Sequence, residues 1–338
     1  MHVGVLVKDD AVTREEGEKV LALLEARKIP HERFTEPRQA RGDVLTVVGD
    51  TTFVLQAQRL VPHHVPILGV AGAGYGILTE VTVAQFEGAL KRLAAGDYWV
   101  EELDRLTCRI RGQSRAIALN EAALVAATSG KFVRYSLLVD GELLWRDRGD
   151  GVIIATPTGS TAYALSAGGP IVLANAGVFS VVPICSWDQN KPLIVKNNAT
   201  LTLADVSCAG GVDLLVDGGE RIHLSGGEEV QLVRSDSPAR FVRFGGRRYG
   251  QLLGKLKAEK ELSPELADAP PSAKFIFKLL QYEGGLTQQE IVRESNLSVR
   301  TVRNALNYLT QEGVLAKEPS LRDARQEVYN LRERVGKR

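Results

Sequence analysis

The chain has 338 residues, of which 44% are hydrophobic and 25% charged, and a formal net charge of +1 at pH 7. Its length predicts two or three domains. The small net charge argues against a protein that binds nucleic acid along its whole length, but it allows a local basic face. No apolar stretch reaches the roughly 18 residues that cross a bilayer, and the N-terminal run lacks a signal-peptide pattern. The three cysteines, Cys108, Cys185 and Cys208, are too widely spaced for a metal-ligand pair or a disulfide framework, so we expect a protein of the reducing cytoplasm.

The first 98 residues alternate between buried-strand and helix patterns. Apolar runs predict strands at 3–7, 44–48 and 66–70, and apolar residues at helical spacing predict helices at 12–27, 53–60 and 83–95. This alternation is typical of a parallel sheet with helices on both faces. We therefore predict an α/β domain over residues 1–98.

Beyond residue 98 the pattern changes to short strand candidates, several of them separated by Gly-rich or Asn-rich turns. The candidates are residues 99–110, 114–119, 132–139, 152–155, 192–195, 200–203, 213–216 and 229–233. They predict a β-rich second domain over residues 99–254. The charged segment 255–271, which ends in Ala269-Pro270-Pro271, is typical of a linker.

Residues 272–338 carry their own helix signals and predict a small α+β unit. Its predicted elements are a helix at 273–282, a second helix after Leu286, a third at 299–312 and two short strands within 314–329, around residues 319–325. Thr287 and Glu290 have the spacing of a capping box. Ser298 is placed to cap the third helix, and Gly313 to end it.

This C-terminal unit resembles a winged helix-turn-helix domain, with 288–296 as the first helix of the motif and 299–311 as the recognition helix. The resemblance implies base-edge contacts from Arg300, Thr301, Arg303 and Asn304. It also implies phosphate contacts from the wing by Lys317, Arg322 and Arg325. DNA is therefore an expected partner, and dimerisation or protein docking is the alternative use of the same fold.

Residues 150–170 combine a buried strand with a hydroxyl-rich turn. The apolar run 152–155 is followed by Thr156-Pro157-Thr158-Gly159-Ser160-Thr161-Ala162-Tyr163. Such a strand end gathers backbone N–H groups and hydroxyl donors where α/β proteins often bind ligands. A tight polar turn between two core elements is an alternative of equal weight.

Four other segments carry candidate chemistry, each with a structural alternative. In Gly49-Asp50-Thr51-Thr52, Asp50 can take a proton from an attacking hydroxyl while the loop N–H groups hold phosphates, or it can simply cap a helix. Gly72-Ala73-Gly74-Tyr75-Gly76 lets backbone approach a ligand, or is a plain turn. Asn120-Glu121 suits a diol or an amide, or caps a turn. Arg148 and Asp150 belong to a site or form a surface ion pair.

Together these segments resemble the signature of NAD kinases. The match comprises Asp150-Gly151, the stretch 156–163, Ser166-Ala167-Gly168-Gly169-Pro170, Asn120-Glu121, Gly49-Asp50-Thr51-Thr52 as the end of the family's Gly-Gly-Asp-Gly-Thr, and 69–80 as its second glycine loop. It covers roughly residues 1–250 and agrees with the two domains predicted there. The resemblance implies a nucleotide-binding domain at 1–98 and an NAD-binding domain at 99–254.

The resemblance implies transfer of the terminal phosphate of ATP or polyphosphate to the 2′-hydroxyl of the adenosine ribose of NAD, giving NADP. Asp50 would be the general base, and the donor would lie on Gly49, Thr51, Thr52 and Gly72. The residues implied for the dinucleotide are Asn120, Glu121, Asp150, Thr161, Ala162, Tyr163 and Ser166, with Arg148 near its phosphates or its nicotinamide end. Mg²⁺ or another divalent metal would neutralise the transferred phosphate, and a homo-oligomer is expected.

The phosphate loops depart from the family's pattern at four positions. Val48 and Thr51 stand at the first and fourth positions of Gly-Gly-Asp-Gly-Thr, Ala71 replaces an Asn, and Gly219 replaces a Gln if Asp217-Gly218 is the matching turn. β-Branched residues thus occur where backbone approaches phosphate or takes a positive φ. The second hypothesis is therefore a DNA-binding transcriptional regulator that senses NAD or NADP through a catalytically impaired kinase-like domain.

Overall fold

The computed structural model describes residues 1–72, 76–128, 130–225, 227–245, 269–283, 286–295, 297–319 and 327–331. The chain divides into two units, Met1–Tyr249 and Gly250–Arg338. Residues 255–268 of the predicted linker lie outside the described residues. Among the helices that the structure describes, none combines the length and the hydrophobicity that a membrane crossing needs.

The first sheet of the larger unit has a core of parallel strands that are buried on both faces. The first elements in chain order are β1 (Val3–Val7), α1 (Ala11–Ala26), β2 (His31–Phe34), β3 (Val44–Val48), α2 (Thr51–Leu60), β4 (Ile67–Ala71), β5 (Val81–Thr82), α3 (Phe86–Ala94) and β6 (Trp99–Leu103). The sheet runs β2, β1, β3, β4, then a late strand at Ala239–Arg243, then β6, with β5 beside β4. The central strands β1, β3 and β4 are almost wholly apolar, with Thr46 as the exception, because helices cover both faces of a parallel sheet.

The predicted strand at 99–110 is wrong in one respect, because it is two strands in different sheets. β6 pairs with Ala239–Arg243 in the first sheet, although the predicted boundary at residue 98 assigns both segments to the second domain. The chain changes sheets at Asp104 and Arg105. Asp104 accepts from the Nδ2 of Asn197 at 2.6 Å, and Arg105 donates to the carbonyl of Ser237 at 2.6 Å. Asp104 and Arg105 therefore divide the segment 99–110, whose sequence otherwise resembles that of one strand.

The rest of the larger unit is a sandwich of two antiparallel sheets. Its elements are β7 (Leu106–Ile110), β8 (Gln113–Ala118), β9 (Glu121–Ala126), β10 (Val133–Val139), β11 (Glu142–Gly149), β12 (Gly151–Ala155), α4 (Tyr163–Ser166), β13 (Val178–Ile184), β14 (Leu193–Lys196), β15 (Leu201–Ser207), β16 (Val212–Val216), β17 (Glu220–Leu224) and β18 (Val230–Arg234). The strand that follows them, β19 (Ala239–Arg243), belongs to the first sheet. One sheet runs β11-β10-β15-β18-β7-β8 and the other β14-β13-β12-β9-β16-β17. Their facing side chains form one apolar core, which includes Leu124, Leu137 and Ile154.

The second face of the β12 sheet carries small residues and is covered by α4. Ala123, Ile153 and Ala155 lie on this face and pack with Ala164 of α4. Alternate residues of a strand point to opposite faces, so this set is distinct from the sandwich core. The two alanines leave room for α4, and for the segment that carries it, to lie close to the sheet.

The smaller unit is a helical bundle backed by a three-stranded sheet. Its elements are α5 (Pro271–Glu283), β20 (Leu286–Thr287), α6 (Gln288–Ser295), α7 (Val299–Gln311), β21 (Leu315–Pro319) and β22 (Glu327–Leu331). The predicted capping box is confirmed, because the Oγ1 of Thr287 accepts from the N–H of Glu290 and the Glu290 carboxylate accepts from the N–H of Thr287 at 2.8 Å. Ser298 caps α7 as predicted, accepting from the N–H of Thr301 at 3.1 Å.

Candidate functional site

Three turns meet at one edge of the sheet that contains β12. Register places Ala155, the last residue of β12, opposite Glu121, the first residue of β9. Val216, the last residue of β16, lies opposite Ala122. The Asn120-Glu121 turn, the hydroxyl-rich loop after β12 and the turn after β16 therefore lie together at this edge.

Asp217 fixes the Asn120-Glu121 turn by accepting three backbone hydrogen bonds. Its carboxylate accepts from the backbone N–H groups of Leu119 at 2.9 Å, Asn120 at 2.8 Å and Glu121 at 3.2 Å. The residue takes a φ of +50° and is only 7% exposed. Burial raises its pKa, and the three N–H groups oppose that shift by stabilising the charged form. Asp217 was not among the predicted site residues.

The hydroxyl-rich loop is bound to the same turn. The N–H of Thr156 donates to the carbonyl of Asn120 at 2.9 Å, and the Thr156 hydroxyl donates to the carbonyl of Leu119. The N–H of Gly159 in turn donates to the Thr156 Oγ1 at 3.1 Å. A side-chain carbon at Gly159 would overlap the Asn120 carbonyl, so only glycine fits this approach. The loop after β12 is thus part of the site edge.

Glu121 brings a buried carboxyl group to the face that α4 covers. The residue is 6% exposed, and its Oε2 has no hydrogen-bond partner among the residues that the structure describes. Burial, together with the smaller effect of the neighbouring Asp217, raises the pKa of Glu121 to about 8. Ser180 lies in the same register row beyond Ala155, and its buried Oγ is also unpartnered within the described residues. Two polar side chains therefore flank Ala155 with hydrogen-bonding capacity unused.

Tyr163 is the first residue of α4 and interacts electrostatically with groups at both ends of β12. Burial raises the pKa of its hydroxyl, and the nearby Asp150, Cys185 and Glu121 raise it further. Asp150 precedes β12, and its carboxylate accepts from the Cys185 thiol, which raises the pKa of that thiol. Asp150 and Glu121 thus lie at opposite ends of β12, and Tyr163 is within electrostatic reach of both.

The other predicted dinucleotide residues lie around this core. The Thr161 hydroxyl donates to the carbonyl of Thr158 at 3.1 Å, Ala162 is half-buried, and Ser166 is exposed on α4. Arg148, at the end of β11, stacks its guanidinium over the Trp187 ring at 4.9 Å. Its carbonyl also accepts from the Trp187 N–H at 2.8 Å. Arg148 therefore belongs to the Asp150 end of β12.

The Asp50 loop lies at the carboxyl edge of the first sheet. Asp50 caps α2, as the structural alternative predicted, because its Oδ1 accepts from the N–H of Phe53 at 2.8 Å. Its Oδ2 accepts from the Nζ of Lys8 at 2.7 Å. Gly49 donates its N–H to the carbonyl of Val70 at 3.0 Å. Thr51 and Thr52 are the first residues of α2, the first half-buried and the second exposed.

The second glycine loop closes against these elements. A side-chain carbon at Gly76 would overlap the Thr51 hydroxyl, and one at Gly72 would overlap the Glu16 carboxylate. Thr51 therefore occupies space that Gly76 leaves free, so the departure from glycine at position 51 is accommodated sterically. Residues 73–75 lie outside the described residues.

Helix α2 connects the Asp50 loop to the Asp217 turn within the larger unit. Leu119 shares an apolar core with Val54 and Leu55 of α2. Arg59, near the end of α2, forms an ion pair with Glu220 of β17. The sheet edge with Glu121 and the helix that Asp50 caps are consequently parts of one packed body.

The recognition helix of the smaller unit presents polar residues on one side. Arg300, Arg303 and Asn304 are exposed, whereas Val302 and Leu306 are buried in the core. Thr301 is half-buried beside its cap. Lys317 pairs with Glu327 at 3.1 Å and lies over the Tyr329 ring. The predicted phosphate contacts Arg322 and Arg325 lie outside the described residues.

Two family models match the chain. Residues 119–244 match the ATP-NAD kinase C-terminal domain, and residues 276–316 match a winged helix-turn-helix DNA-binding domain. An NAD kinase from Methanopyrus kandleri is 37% identical over 213 residues, which cover 63% of this chain and 76% of that protein. An NAD kinase from Thermococcus gammatolerans is 35% identical over 251 residues, which cover 74% of this chain and 88% of that protein.

Solved structures share the fold of the larger unit. The crystal structure of an NAD kinase from Archaeoglobus fulgidus in complex with ATP aligns with a TM-score of 0.66 at 27% identity and covers 76% of this chain and 99% of its own. A yeast NADH kinase complexed with NADH aligns with a TM-score of 0.67 at 23% identity and covers 78% of this chain and 89% of its own. The second likeness is one of fold alone.

Proposed function

This chain belongs to the NAD kinase family, and on that premise we propose that two loops of its larger unit divide the work of the reaction. The reaction is transfer of a phosphoryl group to the 2′-hydroxyl of the adenosine ribose of NAD, which gives NADP. The observation that carries our assignment of the NAD site is the buried Glu121 carboxyl, whose Oε2 is unpartnered among the described residues. A ribose hydroxyl is a donor that would satisfy this oxygen.

NAD is held, in this proposal, by the edge and face of the β12 sheet. Glu121 accepts from a ribose hydroxyl, and Asn120 binds through its side-chain amide beside it. Tyr163 covers the dinucleotide from α4, toward Asp150 and Arg148. Thr161, Ala162 and Ser166 complete the same wall. The support is their shared position around α4 and the edge turns.

The phosphate donor is bound, in this proposal, by the backbone of the Asp50 and second glycine loops. Gly49, Thr51, Thr52 and Gly72 line it, and the N-terminus of α2 points positive charge at it. Asp50 accepts the proton of the 2′-hydroxyl as that oxygen bonds to the terminal phosphorus. The bond from phosphorus to the donor's bridging oxygen breaks, and ADP or shortened polyphosphate leaves. The relative from Archaeoglobus fulgidus was solved with ATP, which supports ATP as the donor.

A divalent metal fits this loop as an ion bound mainly through phosphate oxygens. Asp50 offers a hard carboxylate, and its side chain is 53% exposed. Within the described residues, no group of three or more His, Cys, Asp or Glu side chains is arranged to hold a metal. Mg²⁺ is commonly held by one or two carboxylates together with substrate phosphates, which matches this donor set. When bound, it neutralises charge on the transferred phosphate.

The proposal is tested by direct assay of the full chain. We expect NADP to form when the protein is incubated with NAD, Mg²⁺ and ATP, with polyphosphate tested in parallel as donor. NADP is quantified by an enzymatic cycling assay, and a reaction without Mg²⁺ tests the metal. Absence of NADP with every donor, while NAD still binds by calorimetry, contradicts the kinase function and favours the NAD-sensing regulator.

The smaller unit supports a second function, which we propose to be DNA binding. Arg300, Arg303 and Asn304 are exposed on the first turns of α7, where winged-helix recognition helices contact base edges. The buried face of α7 is used for packing, so these side chains are available. If DNA binding by this unit were coupled to the NAD site, the affinity for DNA would respond to NAD or NADP.

Removing the two arginines of α7 should abolish most of this affinity. We expect Arg300→Ala/Arg303→Ala to weaken duplex binding by at least about 10-fold at 50 mM salt and to reduce the salt slope by about two, because two phosphate or base contacts are lost. Fluorescence anisotropy across a salt series measures both. Arg14→Ala/Arg41→Ala, at exposed arginines of the larger unit, removes equal charge and should bind like the wild type. A wild-type chain without DNA affinity even at low salt contradicts the proposal and favours protein docking.

We further propose that the protein is cytoplasmic and homo-oligomeric. Its cysteines Cys108, Cys185 and Cys208 are all free, as in a reducing compartment. Phe132 and Trp187 form an exposed aromatic pair with ring centroids 6.0 Å apart. Exposed aromatic residues of this kind are enriched in subunit interfaces, which supports self-association.

A further inference from the structure

A lysine outside every motif named above lies at the Asp50 loop. Lys8 follows β1, and its backbone N–H donates to the carbonyl of Val48 at 3.0 Å, which fixes it beside the end of β3. Its Nζ lies 2.7 Å from the Oδ2 of Asp50 and 3.5 Å from the Oδ2 of Asp10. The hydrogen bond to Asp50 is the main cause that raises the pKa of Lys8, so the side chain stays charged.

Lys8 connects the N-termini of two helices. Asp10 caps α1 by accepting from the N–H of Thr13 at 2.8 Å, and Asp50 caps α2 by accepting from the N–H of Phe53 at 2.8 Å. Both oxygens of Asp50 are therefore engaged, one by its helix and one by Lys8. Two such contacts hold a carboxylate in one orientation, which a general base requires.

The ammonium group also suits the chemistry at this place. The Lys8 side chain is 39% exposed, so a ligand at the loop can reach it. An ammonium is a compact charge with three donors; the contacts to Asp50 and Asp10 engage two of them, which leaves one for a ligand. Positive charge beside a transferred phosphoryl group is a recurrent source of rate acceleration. Lys8 supplies that charge in a loop where Val48 and Thr51 replace glycines.

We propose that Lys8 is a positioning residue of the phosphoryl transfer, which orients Asp50 and directs its ammonium at the transferred phosphate. This inference rests on the role proposed above for Asp50. The proton of the 2′-hydroxyl passes to Asp50, the new oxygen–phosphorus bond forms as the donor's bond breaks, and Lys8 stays protonated throughout. The residue acts by orientation and charge, with no proton transfer of its own.

Replacement of the charge with a similar stem tests this role. Lys8→Met should lower kcat by about 10²- to 10³-fold, as loss of one donor to a reacting group does, while KM for NAD changes less than about threefold. Lys8→Arg keeps the charge and should recover most of kcat. Lys19→Met is the matched control and should keep the wild-type kcat, because Lys19 is an exposed lysine of α1 paired with Glu15 at 2.8 Å. Thermal unfolding midpoints check that all variants fold.

The outcomes separate this inference from the function on which it rests. A Lys8→Met variant with wild-type kcat, or a Lys8→Arg variant no better than Lys8→Met, overturns the role of Lys8 and leaves the kinase function standing. A wild-type chain that forms no NADP contradicts the kinase function instead. In that case the role of Lys8 is tested by calorimetry with Mg-ATP. Weaker ATP binding by Lys8→Met than by the wild type, with unchanged NAD binding, supports the contact between the ammonium and the phosphate. Equal ATP binding by the two proteins overturns it.

Discussion

Asp50→Asn should lower kcat for NADP formation by about 10²- to 10⁴-fold, the range associated with loss of a general base. An amide cannot accept the proton of the 2′-hydroxyl. Asparagine is as good a helix cap as aspartate, so the hydrogen bond from the N–H of Phe53 and the start of α2 are retained. Affinity for NAD should stay within about threefold, because the NAD site is built elsewhere. Steady-state kinetics and calorimetry measure the two effects separately.

Asp97→Asn provides the matched control for Asp50→Asn. Asp97 is exposed and pairs with Arg92 at 2.6 Å beyond the end of α3, so the same chemical change there should leave kcat unaltered. If Asp50→Asn retains wild-type kcat, Asp50 is only the cap of α2. Because the cap survives in this variant, a fall in kcat cannot be assigned to unfolding of the helix.

In the first sheet the central strands β1, β3 and β4 could be predicted from the sequence, whereas the charged edge strands β2, β11 and β17 could not. β1, β3 and β4 lie in the middle of a sheet covered on both faces, so each reads as a continuous apolar run. By contrast, β2, β11 and β17 are edge strands whose sequences are rich in charged residues. Charged side chains on an edge strand prevent it from pairing with another chain. The same side chains interrupt the hydrophobic pattern from which strands are predicted, so such strands are missed.

The sequence motifs indicated the local parts of the candidate site, but they gave no indication of the long-range contacts that support it. Asp50, Glu121 and the hydroxyl-rich loop lie in short motifs, and each motif folds as one turn. Asp217 reaches its partners from 96 to 98 positions away, and Lys8 reaches Asp50 across 42. Only the register of β16 on β9 and the pairing of β1 with β3 bring these residues together. The available signal for Asp217 was an aspartate followed by two glycines directly after an apolar strand, a place that tolerates positive φ.

Glu121→Gln should stabilise the protein at alkaline pH while weakening NAD binding. Burial holds the pKa of the folded carboxyl at about 8, against an ordinary value of 4.5. Between these values the folded state binds a proton that the unfolded state has released, so the free energy of unfolding falls as pH rises from about 4.5 to 8. At 1.36 kcal/mol per pH unit, this one group lowers the free energy of unfolding by about 5 kcal/mol between pH 4.5 and pH 8. A glutamine is uncharged at every pH, so the free energy of unfolding of Glu121→Gln does not fall in this way.

Urea unfolding at a series of pH values should therefore show the two proteins equally stable near pH 4.5, and Glu121→Gln the more stable by a few kcal/mol at pH 8.5. Glu142→Gln, at an exposed position of β11, should follow the wild-type curve throughout. Parallel curves for wild type and Glu121→Gln would contradict the buried-carboxyl assignment. Above pH 8, where the Glu121 carboxyl is ionised, the variant should also bind NAD about 10-fold more weakly, because an amide oxygen accepts a hydroxyl less strongly than a carboxylate does. If replacing Glu121 raises the stability of the protein and lowers its affinity for NAD, then the residue serves ligand binding at a cost in stability. That combined result would identify Glu121 as part of the binding site, since a purely structural glutamate would change only the stability.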